Sequence, residues 1–273
     1  MGISSATFTY LAQLVRDHSA IVLDETKGYL LESRLTPLLY AEGIKSMEEL
    51  AFLLRRDSFS ALHRKVLDAM TNNETWFFRD VSPFEALKKA VLPELITRRE
   101  GERSLSIWSA ACSSGQEIYS IAMLIREHFP LLLNWRLNLL GTDISDAILT
   151  RARAGDYSQL EINRGLPAPL LAKYFERSGL RWRLSPRIRE MASFRSMNLS
   201  TTWPLIGSFD VVFLRNVLIY FSLETRKEIL RQMRAVIRPG GYLFLGSAET
   251  TLNLDDSYER VGFENSFYHR PKS

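Results

Sequence analysis

Cysteine and histidine are scarce in this chain: of 273 residues one is cysteine and four are histidine. A single cysteine, Cys112, closes no internal disulfide and builds no cysteine-based zinc site, which suits a reducing cytoplasm. His18, His63, His128 and His269 are scattered without ligand spacing, so no metal cluster is offered. No apolar run approaches the roughly 20 residues that a membrane helix needs. Met1 to Tyr10 has neither a basic start nor a long apolar stretch and does not read as a secretion signal. Repeats and low-complexity tracts are missing too. The charge is nearly balanced, with 35 Lys and Arg against 31 Asp and Glu, or +4. That excess is too small to mark a nucleic-acid binder by itself. A hydrophobic share of 46% and a charged share of 24% exclude a disordered or fibrous chain. The length predicts two domains, or one large α/β unit with an attachment.

What is present changes character near Gly101. Before it, apolar residues recur at helical spacing: Phe8, Leu11, Leu14 and Val15, then Leu30, Leu31, Leu35, Leu38 and Leu39 around Arg34. A helix is predicted from Ser60 to about Met70, and another after Pro83 through Phe84, Leu87, Val91 and Leu95. After Gly101, strands and helices alternate. Leu105–Trp108 is a strand, residues 109–115 a loop of small residues, and Gln116 to His128 a helix. Leu137 to Asp143 is a strand and Ser145 to Ala154 a helix. Phe209–Leu214 is a buried strand. A helix follows from Leu223 to Ile237, stopped by Pro239-Gly240-Gly241, and Tyr242–Leu245 is one more strand. Tyr258 to Arg270 reads as two short strands turned around Glu264-Asn265. This alternation predicts an α/β fold, a parallel sheet with helices on both faces.

Between Gly155 and Asn198 the alternation breaks. Residues 176–195 hold Arg177, Arg181, Arg183, Arg187, Arg189 and Arg195 against Glu176 and Glu190. That local excess of +4 equals the net charge of the whole chain. The segment reads as an inserted subdomain with a basic face, or as a solvated arginine-rich surface.

In an open parallel sheet the ligand sits beyond the carboxyl ends of the strands, at the switch point. The loop Ala110–Glu117 lies there, and its small side chains let a ligand approach the backbone. It carries neither G-x-G-x-x-G nor G-x-x-x-x-G-K-[ST], so it is poorly equipped for phosphate. It suits an uncharged adenosine and a zwitterionic amino acid, or is simply a tight helix start. Asp143, at the end of the next strand, is placed to accept both hydroxyls of a ribose, or to serve as a helix N-cap or first-turn acid.

These residues resemble a family. Thr71–Asp80 (TNNETWFFRD) is similar to the signature of the chemotaxis receptor methyltransferases, the CheR family, and Ile107–Ser120 (IWSAACSSGQEIYS) resembles its cofactor loop. Gly141–Ile144, Phe209–Phe221 (FDVVFLRNVLIYF) and Arg238–Gly246 match its remaining motifs, in order. The resemblance implies a class I S-adenosylmethionine-dependent methyltransferase: a Rossmann-like, mostly parallel sheet with an antiparallel C-terminal hairpin, an all-α N-terminal domain and a small inserted β-subdomain. Boundaries are expected at 1–80 for the helical domain and 81–273 for the methyltransferase, with the insert at about 158–196.

The resemblance further implies S-adenosylmethionine as donor, S-adenosylhomocysteine as product, no metal, and receptor glutamates as acceptors. Carried over onto matching positions, the donor contacts are Asn73, Thr75, Arg79, Glu117, Asp143, Asn198, Leu199, Arg215 and Asn216. Several have plainer readings: Asn73 and Thr75 as turn residues, Glu117 as a first-turn acid, Asn198 as a loop residue. Cys112 reads as packing. Arg79 and Tyr220 are expected beside the acceptor, with Tyr220 alternatively a packing aromatic. Arg34 is expected to meet the receptor, with Lys27, Arg55, Arg56, Arg64 and Lys65 as further cations for an acidic helical partner. The single glycine of Arg177–Trp182 predicts no tight binding of a receptor tail peptide as an added strand. A methyltransferase of nucleobase amines would carry an Asn/Asp-Pro-Pro-aromatic motif where this chain has Leu214-Arg215-Asn216-Val217-Leu218. The competing readings are a methyltransferase of RNA or a small molecule and a non-catalytic donor-binding scaffold. A cytoplasmic protein reaching membranes only through receptors, without nucleic acid, is expected.

Overall fold

The computed structural model describes residues 3–24, 26, 28–264 and 266–272. By its contacts the chain divides into two compact units, residues 1–72 with 220–225, and residues 73–219 with 226–273.

The first unit is built on α1 (Ser5–Ser19), α2 (Gly28–Glu42), α3 (Met47–Arg56) and α4 (Ala61–Met70). Serines start three of them. Ser4 accepts from the Thr7 N–H, Ser46 accepts from the Glu49 N–H, and Ser60 forms a capping box with His63. Leu11, Val15, Leu31, Leu35, Leu50 and Val66 form the buried seam between these helices. α3 goes beyond the expected helices, although Ser46, acidic Glu48 and Glu49, and basic Arg55 and Arg56 supply its start and stop signals.

The second unit opens with α5 (Ser82–Ala86), a π-helical turn over Leu87–Val91, and α6 (Leu92–Arg99). The alternation follows: β1 (Ser104–Ala110), α7 (Gln116–His128), β2 (Arg136–Asp143) and α8 (Asp146–Ala154). An insert then forms a sheet of its own in the order β3-β5-β4, from β3 (Asp156–Ser158), α9 (Gln159–Asn163), α10 (Ala168–Tyr174), β4 (Phe175–Ser178) and β5 (Arg181–Leu184), closed by α11 (Pro186–Arg189). The chain returns through β6 (Ala192–Ser196), β7 (Phe209–Leu214), α12 (Leu223–Val236), β8 (Ile237–Leu245), β9 (Tyr258–Phe263) and β10 (Ser266–Pro271).

The main sheet runs β6-β2-β1-β7-β8-β10-β9. It is parallel from β6 to β8 and antiparallel at β10. The order reverses between β1 and β7, so the switch point lies where Ala110 pairs with Leu214. Trp108, Val211, Phe213, Tyr242 and Phe244 are fully buried, as a sheet covered on both faces requires. Phe213 and Phe244 stack at 4.6 Å.

Several expectations shift. The contact division falls after Asn72, ahead of the expected 80, because Phe77 is fully buried edge-on against Tyr157 and Phe175. The insert's sheet starts at Asp156 and loses Ala192–Ser196 to the main sheet, where Phe194 lies against Gly141 of β2 and edge-on to Tyr119. Pro239-Gly240-Gly241 interrupts a strand and does not follow a helix. β8 begins at Ile237, paired with Phe209, and 238–241 bulge out before Tyr242 pairs with Val211. The C-terminal strands are as expected, while Asn265 of their turn lies outside the described residues. No helix among the described residues is long and apolar enough to cross a membrane.

Candidate active site

The loop after β1 turns tightly into α7. Ala111, Ser113 and Gly115 all have positive φ, and the Cys112 N–H donates to Thr142 O at 2.8 Å. A Cβ on Gly115, whose φ is +90°, would lie 3.0 Å from the Tyr119 ring and 3.2 Å from Ala152 Cβ, so only glycine fits. Tyr157 Oη donates to Ser114 O at 2.9 Å, fastening the loop to the insert's first strand. Cys112 Sγ sits where a Cβ on Gly141 would come within 2.9 Å of it. Burial first, then the negative charges of Asp143 and Glu117, push its thiol well up, so it packs as an uncharged group.

Asp143 ends β2 and is buried. Its carboxylate accepts from the Ser113 N–H at 2.9 Å and the Ser145 N–H at 3.1 Å. Ser145, not Asp143, caps α8. Asp143 therefore ties the loop after β1 to the end of β2, the rim on which a ribose would rest. Met197 N–H donates to the Asp143 carbonyl at 2.9 Å, bringing the segment after β6 to the same edge. There Asn198 Oδ1 accepts from the N–H and hydroxyl of Ser200, and Leu199 is buried.

Glu117, in the first turn of α7, accepts from Ser109 Oγ and from Arg215 Nη1, both at 2.8 Å. Arg215 follows β7, and its side chain is 1% exposed. Its Nη2 reaches Asp80 Oδ2 at 2.7 Å and the Arg79 carbonyl at 3.0 Å. Arg215 thus joins the start of α7 to the 79–80 segment as well as standing at a strand end. Next to it, Asn216 has φ +59°.

The 73–80 segment is laced to this rim. Ser113 Oγ donates to Asn73 O at 2.8 Å, and the Phe78 N–H donates to Ser120 Oγ at 2.9 Å. Thr75 is half-buried within it. Arg79 Nη1 donates to Glu74 O at 2.9 Å, and its guanidinium lies 4.3 Å from the Trp76 ring centroid. Arg164, from the insert, lies 3.9 Å from the same centroid and pairs with Glu74 at 2.7 Å. Phe78, Asp80 and Val81 have positive φ, a run of non-glycine strain that functional segments tolerate.

Two expected site residues belong to the first unit. Tyr220 Oη accepts from Asn72 Nδ2 at 2.5 Å, and its carbonyl accepts from the Val22 N–H. Arg34 donates to Met70 O at 2.6 Å, closing the end of α4. Of the other cations, Arg55 lies over the Tyr10 ring, Arg64 over Phe59, and Lys65 pairs with Glu42. Arg56 meets Asp57, and Lys27 lies outside the described residues. In the insert, Arg183 forks onto Asp156 and Arg181 donates to its carbonyl, which uses part of the basic face locally. The hydrogen bonds from Arg183 lower the Asp156 pKa.

Ser109, Ser113, Asp80 and Glu249 also hold the rim, beyond the expected residues. The first three lie inside the quoted motifs, so their positions were the available signal; Glu249 lies outside every one.

The second unit's order of strands, its switch-point loop and the acid ending β2 define a class I S-adenosylmethionine-dependent methyltransferase. The residues fit that donor: small side chains leave the loop backbone open, and buried carboxylates favour a sulfonium cation and can accept its hydroxyl and ammonium protons. Buried Arg79 Nε has no hydrogen-bond partner among the described residues, a donor free for a carboxylate. Residues 73–267 match the CheR methyltransferase SAM binding domain, and 6–71 match the CheR methyltransferase all-alpha domain. The chain belongs to the CheR methyltransferase family. It is 44% identical over 276 residues, and 100% of both chains, to chemotaxis protein methyltransferase 1 of Pseudomonas aeruginosa. It is 46% identical to chemotaxis protein methyltransferase Cher2 of Pseudomonas putida, over 88% of this chain and 89% of that one. Among solved structures, the glycopeptide N-methyltransferase MtfA with S-adenosylmethionine aligns with a TM-score of 0.34 at 15% identity, over 66% of this chain and 63% of that one, too loosely to carry an argument. Among the described residues, no group of three or more His, Cys, Asp and Glu side chains is arranged to hold a metal ion.

Proposed function

We propose that this chain methylates glutamate side chains on the cytoplasmic domains of chemoreceptors, leaving methyl esters and S-adenosylhomocysteine. The observation that carries the reading is the attachment of the 73–80 segment to the donor rim, through Ser113, Ser120 and Arg215. When bound, S-adenosylmethionine supplies a methyl carbon already activated by its sulfonium. A glutamate carboxylate, with an ordinary pKa near 4.3, is ionised at neutral pH and needs no base. The protein's contribution is therefore alignment and exclusion of water. Alignment of two reactants is worth about 7–11 kcal/mol. Cation and anion neutralise each other in the reaction, so a dry site favours the transition state over the separated ions.

In this reading Asn73, Thr75, Glu117, Asp143, Asn198, Leu199, Arg215 and Asn216 form the donor site, with Arg215 acting through Glu117 and Asp80. Arg79 orients a carboxylate, and Tyr220 is assigned to the acceptor on its motif. Arg34 and its neighbouring cations meet the acidic receptor, so methylation weakens as ionic strength rises. The β4–β5 hairpin turns on Gly179-Leu180 alone, which supports weak or no binding of a receptor tail peptide. The protein works in the cytoplasm, meets membranes through receptors, and takes no nucleic acid.

The test is incubation with labelled donor and receptor-containing membranes, then alkali. Release of labelled methanol is expected. Alkali-stable label would overturn the ester assignment. Arg79→Ala and Tyr220→Phe should each slow transfer at least tenfold with the fold retained, and wild-type turnover would remove either residue from the reaction. In calorimetry, micromolar binding of a receptor tail peptide would overturn that part of the reading.

A further inference from the structure

Glu249 stands four residues past the end of β8 and is 9% exposed. Its Oε2 accepts from the backbone N–H groups of Asn216 and Gly246, each at 2.7 Å. Its Oε1 accepts from those of Val217 at 2.9 Å and Leu218 at 2.7 Å. An ionised carboxylate is an acceptor only, with about four lone-pair sites, and this one meets four donors. Its own N–H donates to Gly246 O at 2.9 Å, closing the turn that aims the side chain.

The four donors belong to two loops, those after β7 and after β8, at the carboxyl rim of the sheet. Asn216 needs holding, since φ +59° is disfavoured for a residue with a Cβ. Gly246 needs to be glycine, since a Cβ there would lie 2.7 Å from both Asn216 Nδ2 and Glu249 Oε2. One residue upstream, Arg215 carries the same backbone to Glu117, Asp80 and the Arg79 carbonyl. A shift of 216–218 would thus disturb the donor side, through Asn216 itself and through the Arg215–Glu117 pair.

We propose that Glu249 is a positioning residue for methyl transfer: its carboxylate sets the backbone of 216–218 and so the donor-binding geometry of Asn216 and Arg215. This rests on the donor-site reading of those two residues. A glutamine has nearly the same shape, but whichever way its amide turns, an NH2 group faces two backbone N–H donors.

The experiment compares wild type with Glu249→Gln by calorimetry with S-adenosylhomocysteine and by initial rates at varied donor. In the variant, the Kd for the product and the KM for the donor should rise together, at least tenfold, with kcat at saturating donor reduced less than threefold. A lower Tm with Kd and KM within twofold of wild type would make Glu249 merely structural and overturn the proposal. If the variant does not fold, amide hydrogen exchange on wild type decides. The amides of 216, 217, 218 and 246 should exchange slowly and slow further with product; exchange that ignores the product overturns it. Should wild type bind product but leave receptors unmethylated, the acceptor assignment fails while the calorimetric result still reports on Glu249.

Discussion

The two ends of β7 carry the same chemistry for different purposes. At its start Asp210, fully buried, accepts from Arg99 at 2.9 Å, Arg238 at 2.8 Å and the Ser106 N–H at 2.8 Å. Just past its end Arg215 grips Glu117 and Asp80. Each is a cluster of guanidinium and carboxylate around one fully buried group, Asp210 below and Arg215 above. The lower one joins β1, β7, β8 and α6 at the bulge of β8. The upper one joins the start of α7 to the 79–80 segment, beside backbone with positive φ at Phe78, Asp80, Val81, Ala111, Ser113 and Asn216. The lower cluster thus braces the sheet and α6, while the upper one ties together the rim proposed to hold the donor.

Removing one partner of a buried cluster leaves the other charges uncompensated, which costs about 3–5 kcal/mol. Asp210→Ala should therefore lose about that much unfolding free energy in denaturant titrations, with the folded fraction still binding S-adenosylhomocysteine normally. A large change in product affinity would erase the distinction between the two ends. Arg215→Ala should do the opposite. Asp80 is a third exposed and can be solvated, so stability falls less, while the Kd for product rises at least thirtyfold, about 2 kcal/mol.

The antiparallel edge tests the frame by pH. His269, on β10 opposite Leu243, is 2% exposed, and neither ring nitrogen has a hydrogen-bond partner among the described residues. Burial first, then the Arg260 charge, pushes its pKa from 6.5 down to about 4. The unfolded chain binds this proton more readily, so stability is full above pH 6.5 and falls as pH drops toward 4. From pH 7 to pH 5 a loss of about 2 kcal/mol is expected, and His269→Leu should remove that slope. An unchanged slope in the variant would assign the acid sensitivity elsewhere. Smallest is Arg164→Ala. Its pair with Glu74 is half exposed on both sides, so the change should cost under about 1 kcal/mol of stability.

The helical and alternating patterns were legible because burial imposes a period on the residues themselves. Phe8 to Val15, Gln116 to His128 and Phe209–Leu214 could be read from spacing alone. The 192–196 strand could not: Ala192-Ser193-Phe194-Arg195-Ser196 has little strand signal, and where it pairs with β2, Gly141 leaves room for the Phe194 ring. Pro239-Gly240-Gly241 misled for a related reason, since turn chemistry also makes a bulge inside a strand.

The site divides along the same line. Loop, terminal acid and motif order could be recognised along the chain, and with them the donor class. That Arg215 faces Glu117 and Asp80, that Ser113 holds Asn73, and that Glu249 gathers four amides from two loops follow only from folding. A local pattern reports what each residue prefers near its neighbours. Partners 30 or 100 positions apart meet because the parallel sheet brings its strand ends to one rim, and no preference along the chain encodes that encounter.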